Sequence, residues 1–150
     1  MNLNEEQKQV IDQALSILSG CLKRGSLTAT GPDSVKQFCQ LHLAHLEHEV
    51  FGVLFLDNRH RLISFVEMFR GTIDGASVYP REVAKAALYT NAAAVIFTHN
   101  HPSGVTEPSA ADKSITSQLV NALRLLDIRV LDHIVVSHDA TYSFSENGLL

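Results

Sequence analysis

The stretch Thr98-His99-Asn100-His101-Pro102-Ser103-Gly104-Val105-Thr106-Glu107-Pro108-Ser109-Ala110-Ala111-Asp112 concentrates residue types that do chemistry, with the spacing H-x-H-x7-S-x2-D. At the end of a strand, residues i and i+2 point to one side with Cα atoms roughly 6 to 7 Å apart. His99 and His101 can therefore converge on one ion while Asn100 faces away. Ser109 and Asp112, three apart at a helix start, share one helical face. If Pro102 to Pro108 fold that start back, the Asp112 carboxylate becomes a third ligand. Two imidazoles and one carboxylate leave the fourth tetrahedral position of Zn²⁺ to a water, as in catalytic rather than structural zinc. The pKa of such a water falls from about 9 toward about 7, which makes hydroxide available near neutral pH.

This chemistry also needs a proton acceptor that is not itself a ligand. Glu49, at the mouth of the apolar stretch Val50 to Leu56, is the favoured residue, and Glu47 is its rival. Ser109 could donate a hydrogen bond to the oxyanion of a tetrahedral intermediate, a contribution worth about 3 kcal/mol elsewhere. Ser-x-x-Asp before an apolar helix is equally a capping-box variant, and the two roles are compatible because a capped helix start is rigid.

Elements that must position these groups can be read from periodicity. Between Asn4 and Arg24, Val10, Ile11, Ala14, Leu15, Leu18 and Leu22 mark one helical face, and Gly25 ends it. Gly25 to Gly31 has loop chemistry, after which Asp33 or Ser34 caps a second helix with Val35, Phe38, Cys39 and Leu46 inward. Val50–Leu56, the turn Asp57-Asn58-Arg59-His60 and the run from Leu62 to Phe69 predict a hairpin. Pro80 opens a helix whose face is Val83, Ala84, Ala87 and Leu88. Ala92 to Phe97, continuously apolar, reads as a central strand covered on both sides that runs straight into His99. Ser109 caps a helix carrying Ile115, Leu119, Ala122, Leu123 and Leu126, and Val130–Val136 and Thr141–Phe144 close the chain as strands. This order predicts an α/β fold, a mixed central β-sheet flanked by helices on both faces.

Composition narrows the classes further. The 150 residues, 45% hydrophobic, suffice for one core without staples. The longest apolar stretch, Val50 to Leu56, falls far short of the ~18 residues of a membrane span. Met1 to Gln9 is acidic and polar and carries no secretory pattern, so a cytoplasmic location is expected. Cys21 and Cys39, without a C-x-x-C, suit buried thiols in a reducing compartment. A formal net charge of −4 counts against direct nucleic-acid binding. Arg59-His60-Arg61, the compact basic cluster, reads as an ordinary turn. His42, His45 and His48 read as a partly exposed helical face rather than a second metal site. His133 reads as a structural histidine bonded within the fold, with proximity to the cleft as the alternative.

Glu49, His99-x-His101 and Ser109-x-x-Asp112 together resemble the JAMM (JAB, MPN+) metalloprotease motif. The surrounding wording, Glu49-Val50-Phe51, Leu56-Asp57, Pro80-Arg81-Glu82-Val83, His99-Asn100-His101-Pro102-Ser103-Gly104 and Leu131-Asp132-His133-Ile134, is similar to the bacterial RadC-like family, historically labelled DNA repair proteins. The likeness divides the chain into a helical lead-in at 1–34 and a RadC-like domain at 35–150. It looks like the short YeeS-type members without the N-terminal helix-hairpin-helix region of longer ones. The resemblance implies a JAMM/MPN-like three-layer fold of the cytidine-deaminase kind, with one zinc held by His99, His101 and Asp112. It implies Glu49 as general acid/base, Ser109 as oxyanion donor, and a peptide or protein substrate cleaved at a peptide or isopeptide bond. The competing expectations are a metal-dependent nuclease or phosphoesterase, for which one certain carboxylate is few, and a non-catalytic binding module stiffened by its metal.

Overall fold

The computed structural model describes residues 3–24, 31–71 and 77–150. Its elements run α1 (Glu5–Arg24), α2 (Pro32–Leu43), β1 (Val50–Leu56), β2 (Leu62–Arg70), α3 (Pro80–Tyr89), β3 (Ala94–Asn100), α4 (Ala110–Arg124), β4 (Arg129–Val136) and β5 (Thr141–Ser143). The strands form one mixed sheet in the order β2-β1-β3-β4-β5. Its pairs are antiparallel except β3 with β4, which are parallel and joined through α4.

Alternation along the strands sends two sets of side chains to opposite faces, and each face has its own helices. Val50, Leu54, Leu56, Ala94, Ile96, Ile134 and Val136 pack with Val35, Phe38, Cys39 and Leu43 of α2, and with Leu15 and Leu18 of α1. Phe51, Val53, Phe55, Val95 and Phe97 pack with Val83 and Ala87 of α3 and with Leu119 and Leu123 of α4. The fold is therefore the α/β architecture expected, with helices on both faces and β3 buried along its whole length. A Cβ on Gly52 would lie 2.7 Å from the ring of Phe65, so any larger residue there must displace that ring.

Several boundaries differ from the sequence reading, each for a local reason. Helix α2 begins at Pro32, and its N-cap is Gly31 without a side-chain cap, so neither Asp33 nor Ser34 caps it. A proline at the helix start has no N–H to satisfy and a φ already fixed near the helical value, so the helix opens there rather than one or two residues later. Leu46 falls beyond the end of α2, although it still packs against that core, and Leu43 takes the inward position. Leu88 and Leu126 were expected inside, yet Leu88 is 58% exposed and Leu126 lies past α4 at 38%. Strand β3 starts at Ala94 and continues through His99 and Asn100, two polar residues that apolar patterning could not include. The expected loop Gly25 to Gly31 lies, except for Gly31, outside the described residues.

The Arg59-His60-Arg61 cluster is a turn held by its own acid. Asp57 Oδ1 accepts from the backbone N–H groups of Arg59 and Arg61 at 2.8 and 2.9 Å, and Arg61 Nε donates to Asp57 Oδ2 at 2.7 Å. These bonds hold the Asp57 carboxyl below its usual range, the Arg61 backbone N–H contributing most. The histidine stripe does not form, because α2 stops at Leu43. The His42 ring instead lies 4.5 Å from both Phe38 and Phe65. Cys39 is buried, and burial pushes its thiol up to about 12, whereas Cys21 is only partly buried.

Candidate metal centre

Strand β3 ends at the edge of the buried sheet, and α4 starts above it. His99 lies in the strand, opposite Phe51 of β1 and beside Val135 of β4, with 1% of its surface exposed. His101 follows immediately, its backbone N–H bonded to the Val136 carbonyl at 2.8 Å, which carries the strand direction one step further. The i, i+2 relation brings the rings together as expected, with His99 Nε2 2.9 Å from His101 Nε2.

The third group arrives from α4. Ser109 is its N-cap: Ser109 Oγ accepts from the Asp112 backbone N–H at 3.0 Å, and Asp112 Oδ2 accepts from the Ser109 backbone N–H at 2.7 Å. This reciprocal capping box locks the carboxylate. The locked carboxylate places Asp112 Oδ1 3.3 Å from His99 Nε2 and Oδ2 3.3 Å from His101 Nε2. Capping and convergence are thus served by the same side chain. His99, His101 and Asp112 form a group whose ligand atoms all lie within 4.8 Å of one another, able to hold a metal ion. Donor atoms 2.9 to 3.3 Å apart are spaced like neighbouring ligands of a small ion, for which Zn–N and Zn–O distances near 2 Å at tetrahedral angles give roughly 3.3 Å.

Electrostatics matches this geometry. Burial pushes the Asp112 carboxyl up, but hydrogen bonds to His101 and His99 outweigh it and hold the group far below its usual range. The Asp112 hydrogen bond raises His101 against the opposing effect of burial, helped by the Val105 carbonyl and by the charges of Asp112 and Glu49. His101 Nδ1 is 2.7 Å from the Val105 carbonyl, which can only accept, so the Nδ1–H donates and a neutral ring turns its Nε2 lone pair toward Asp112.

Glu49 immediately precedes β1. Continuing the Phe51–His99 pairing outward by two residues puts Glu49 opposite His101, and its carbonyl accepts from the Gly71 N–H at 2.8 Å. Glu47 is exposed, two residues further from the strand mouth. Ser109 is exposed at the rim, and its hydroxyl accepts in the cap, which leaves the O–H to be donated elsewhere.

Three further residues surround this centre, of which Thr116 went unmarked by sequence reasoning. Asn100 does face away from the imidazoles, as expected. Its side chain is buried, with Oδ1 accepting from the Val50 N–H at 2.8 Å and Nδ2 donating to the His48 and Leu46 carbonyls at 2.9 and 3.4 Å. One amide thereby ties the segment carrying Glu49 to the strand carrying His99. His133 of β4 is fully buried and hydrogen-bonded within the fold, as expected, and at 2.8 Å from His99 it also lies beside the converging side chains, the alternative given above. Burial holds its imidazole well below its ordinary pKa, with the His99 charge adding to the effect. Thr116 of α4 touches His133 in turn. A strand-end asparagine or a threonine within a helix carries no sequence pattern that marks such work.

The chain matches the RadC-like JAB domain over residues 29–149. A UPF0758 protein of Vibrio cholerae serotype O1 is 55% identical over 144 residues, covering 96% of this chain and 90% of that protein. A UPF0758 protein of Nitrosococcus oceani is 59% identical over 133 residues, 89% of this chain and 59% of the relative. One from Methylibium petroleiphilum is 60% identical over 119 residues, 79% of this chain and 54% of the relative. The chain thus spans most of one relative and rather more than half of the others. Among the described residues no helix is long and apolar enough to cross a membrane. With this match covering most of its length and relatives above half identity, the chain belongs to the RadC-like JAB domain family.

Proposed function

We propose that the protein is a zinc-dependent hydrolase of JAMM type acting on a peptide or isopeptide carbonyl. The observation that carries the reading is the convergence of His99 Nε2, His101 Nε2 and the Asp112 carboxylate. With both rings protonated on Nδ1, as the Val105 carbonyl favours for His101, three lone pairs converge at 2.9 to 3.3 Å, and a cation among them relieves their repulsion. Two imidazoles and one carboxylate are the donor set of catalytic zinc. A zinc ion held by His99, His101 and Asp112 would supply Lewis acidity and make a water more acidic.

The chain's own residues do the rest. Glu49, at the strand mouth opposite His101, takes a proton from the attacking water and hands it to the leaving amine, a transfer of the kind worth about 10² to 10⁴ in rate. The Ser109 hydroxyl donates to the oxygen of the carbonyl as negative charge develops there. Asn100 ties the backbone on either side of Glu49 to β3, and the capping box holds the Asp112 carboxylate in place. The products are an amine and a carboxylate.

Two measurements test this. Metal analysis of the purified protein should find stoichiometric zinc that is lost in His101→Ala and Asp112→Ala; absence of zinc, or its full retention in both variants, refutes the site. Hydrolysis of a panel of peptide and isopeptide substrates should disappear in Glu49→Gln while zinc stays bound. Cleavage of DNA that vanishes in Glu49→Gln would instead establish the phosphoesterase reading. A large loss of stability on chelation without turnover of either substrate class would establish a structural metal.

A further inference from the structure

Behind His99 a chain of hydrogen bonds has its direction set by chemistry alone. The Thr116 hydroxyl is 2.6 Å from the Asp112 backbone carbonyl and 2.6 Å from His133 Nδ1. A carbonyl can only accept, so the one hydroxyl proton of Thr116 points to Asp112. Thr116 Oγ1 must then accept from His133, which puts the proton of a neutral His133 on Nδ1. His133 Nε2 is left as an acceptor, and it lies 2.8 Å from His99 Nδ1. His99 must therefore donate from Nδ1, and its Nε2 is free of hydrogen toward His101 and Asp112.

His133 is enclosed on the apolar side of this chain. The rings of Phe51, Phe97 and Phe144 surround it at 5.5, 5.8 and 4.7 Å, and its surface is 0% exposed. Among the described residues the hydrogen-bonding neighbours of its ring nitrogens are His99 and Thr116, neither a carboxylate, and such an enclosure favours the neutral ring.

We propose that Thr116 and His133 are positioning residues that fix the tautomer of His99, presenting Nε2 as a metal ligand. The chain begins at the backbone of Asp112 and ends on the ring of His99, so one ligand's peptide group dictates the protonation pattern of another. This inference rests on the metal-centre reading above. Outer hydrogen bonds of this kind orient ligating imidazoles, and losing them costs about 10- to 100-fold in metal affinity. Without the Thr116 acceptor, a neutral His133 relocates its proton to Nε2 and donates to His99. The His99 proton is then driven onto the atom that should bind metal.

The test is histidine tautomer assignment by ¹⁵N NMR on the metal-free full chain at mildly alkaline pH, paired with Zn²⁺ affinity from competition with a chromophoric chelator. In the wild type both His99 and His133 should carry their proton on Nδ1. Thr116→Val keeps the side-chain shape but removes the relay, and it should move the His99 proton to Nε2 and weaken Zn²⁺ binding 10- to 100-fold. Thr116→Ser should restore both readings. A wild-type His99 protonated on Nε2 overturns the proposal, and so does a folded Thr116→Val with unchanged tautomers and affinity. The wild-type tautomers decide the matter even where Thr116→Val does not fold. Failure of the wild type to bind Zn²⁺ refutes the metal centre, whereas the tautomers still decide the relay.

Discussion

Asp112 has two duties, and substitution can separate them. Its carboxylate closes the capping box and also faces both imidazoles, whereas Ser109 belongs to the cap and not to the donor set. A metal that binds only the folded chain, supplied at 1,000 times its dissociation constant, stabilises the fold by about 4.1 kcal/mol. For a domain of this size that raises Tm by roughly 8 to 16 °C. Asp112→Asn keeps an oxygen to accept from Ser109 N–H but removes the charge from the donor set. If affinity falls about 100-fold, the same metal concentration is only ten times the new dissociation constant, and the increment shrinks to about 1.4 kcal/mol, or roughly 3 to 6 °C. Ser109→Ala loses about 1 kcal/mol of cap with or without metal, so its metal increment should stay at the wild-type value. Differential scanning calorimetry with added Zn²⁺ and with chelator measures each increment as a difference within one variant, which cancels baseline changes. An unchanged increment in Asp112→Asn, or a collapsed one in Ser109→Ala, would refute the division of labour drawn from the geometry.

Three other outcomes are expected. Gly52→Ala should destabilise by about 1 to 3 kcal/mol in urea unfolding, because the new Cβ meets the Phe65 ring at 2.7 Å and that ring packs against Phe38 and His42; no change would show that the ring moves freely. Asn100→Ala should cost about 2 to 4 kcal/mol by orphaning the Val50 N–H and the His48 carbonyl, and it should lower hydrolysis more than zinc content, since what it frees is the Glu49 segment. His42 is held down to about 4 by burial, with His45 adding to the effect and Asp12 opposing it. Its unfolded value near 6.5 is higher, so its contribution to stability is complete above pH 6.5 and is lost as pH falls toward about 4. Allowing for partial exposure of the ring, the loss is about 1 to 2 kcal/mol. His42→Phe should flatten urea midpoints across that window, and an unchanged acid slope would refute the assignment.

Much of the scaffold was legible because its residues repeat. Val50–Leu56 is a strand with the expected ends, Pro80 opens α3, and Ser109 caps α4, since each obeys a rule that acts within a few neighbouring residues. Legibility failed where burial depends on distant partners. Leu88 fits the apolar period of α3 yet points outward, and Leu43 replaces Leu46 because a turn ends α2 early. His99 and Asn100 belong to the strand although both are polar, because in the tertiary fold each has hydrogen-bonding partners that offset burial.

The sequence by itself determined the types of the converging side chains, the approach of His99 to His101, and the rigid start of α4. Strand pleat and helix capping are local physics carried by spacing. Only the tertiary structure decided that Asp112 reaches those rings, through a β3–α4–β4 crossover that returns the helix start over the strand end. It alone placed His133 behind His99 and Thr116 behind His133, residues 34 and 17 positions apart in the chain. Hydrogen-bond direction is settled by which groups meet, and those meetings exist only once β3, β4 and α4 are packed together.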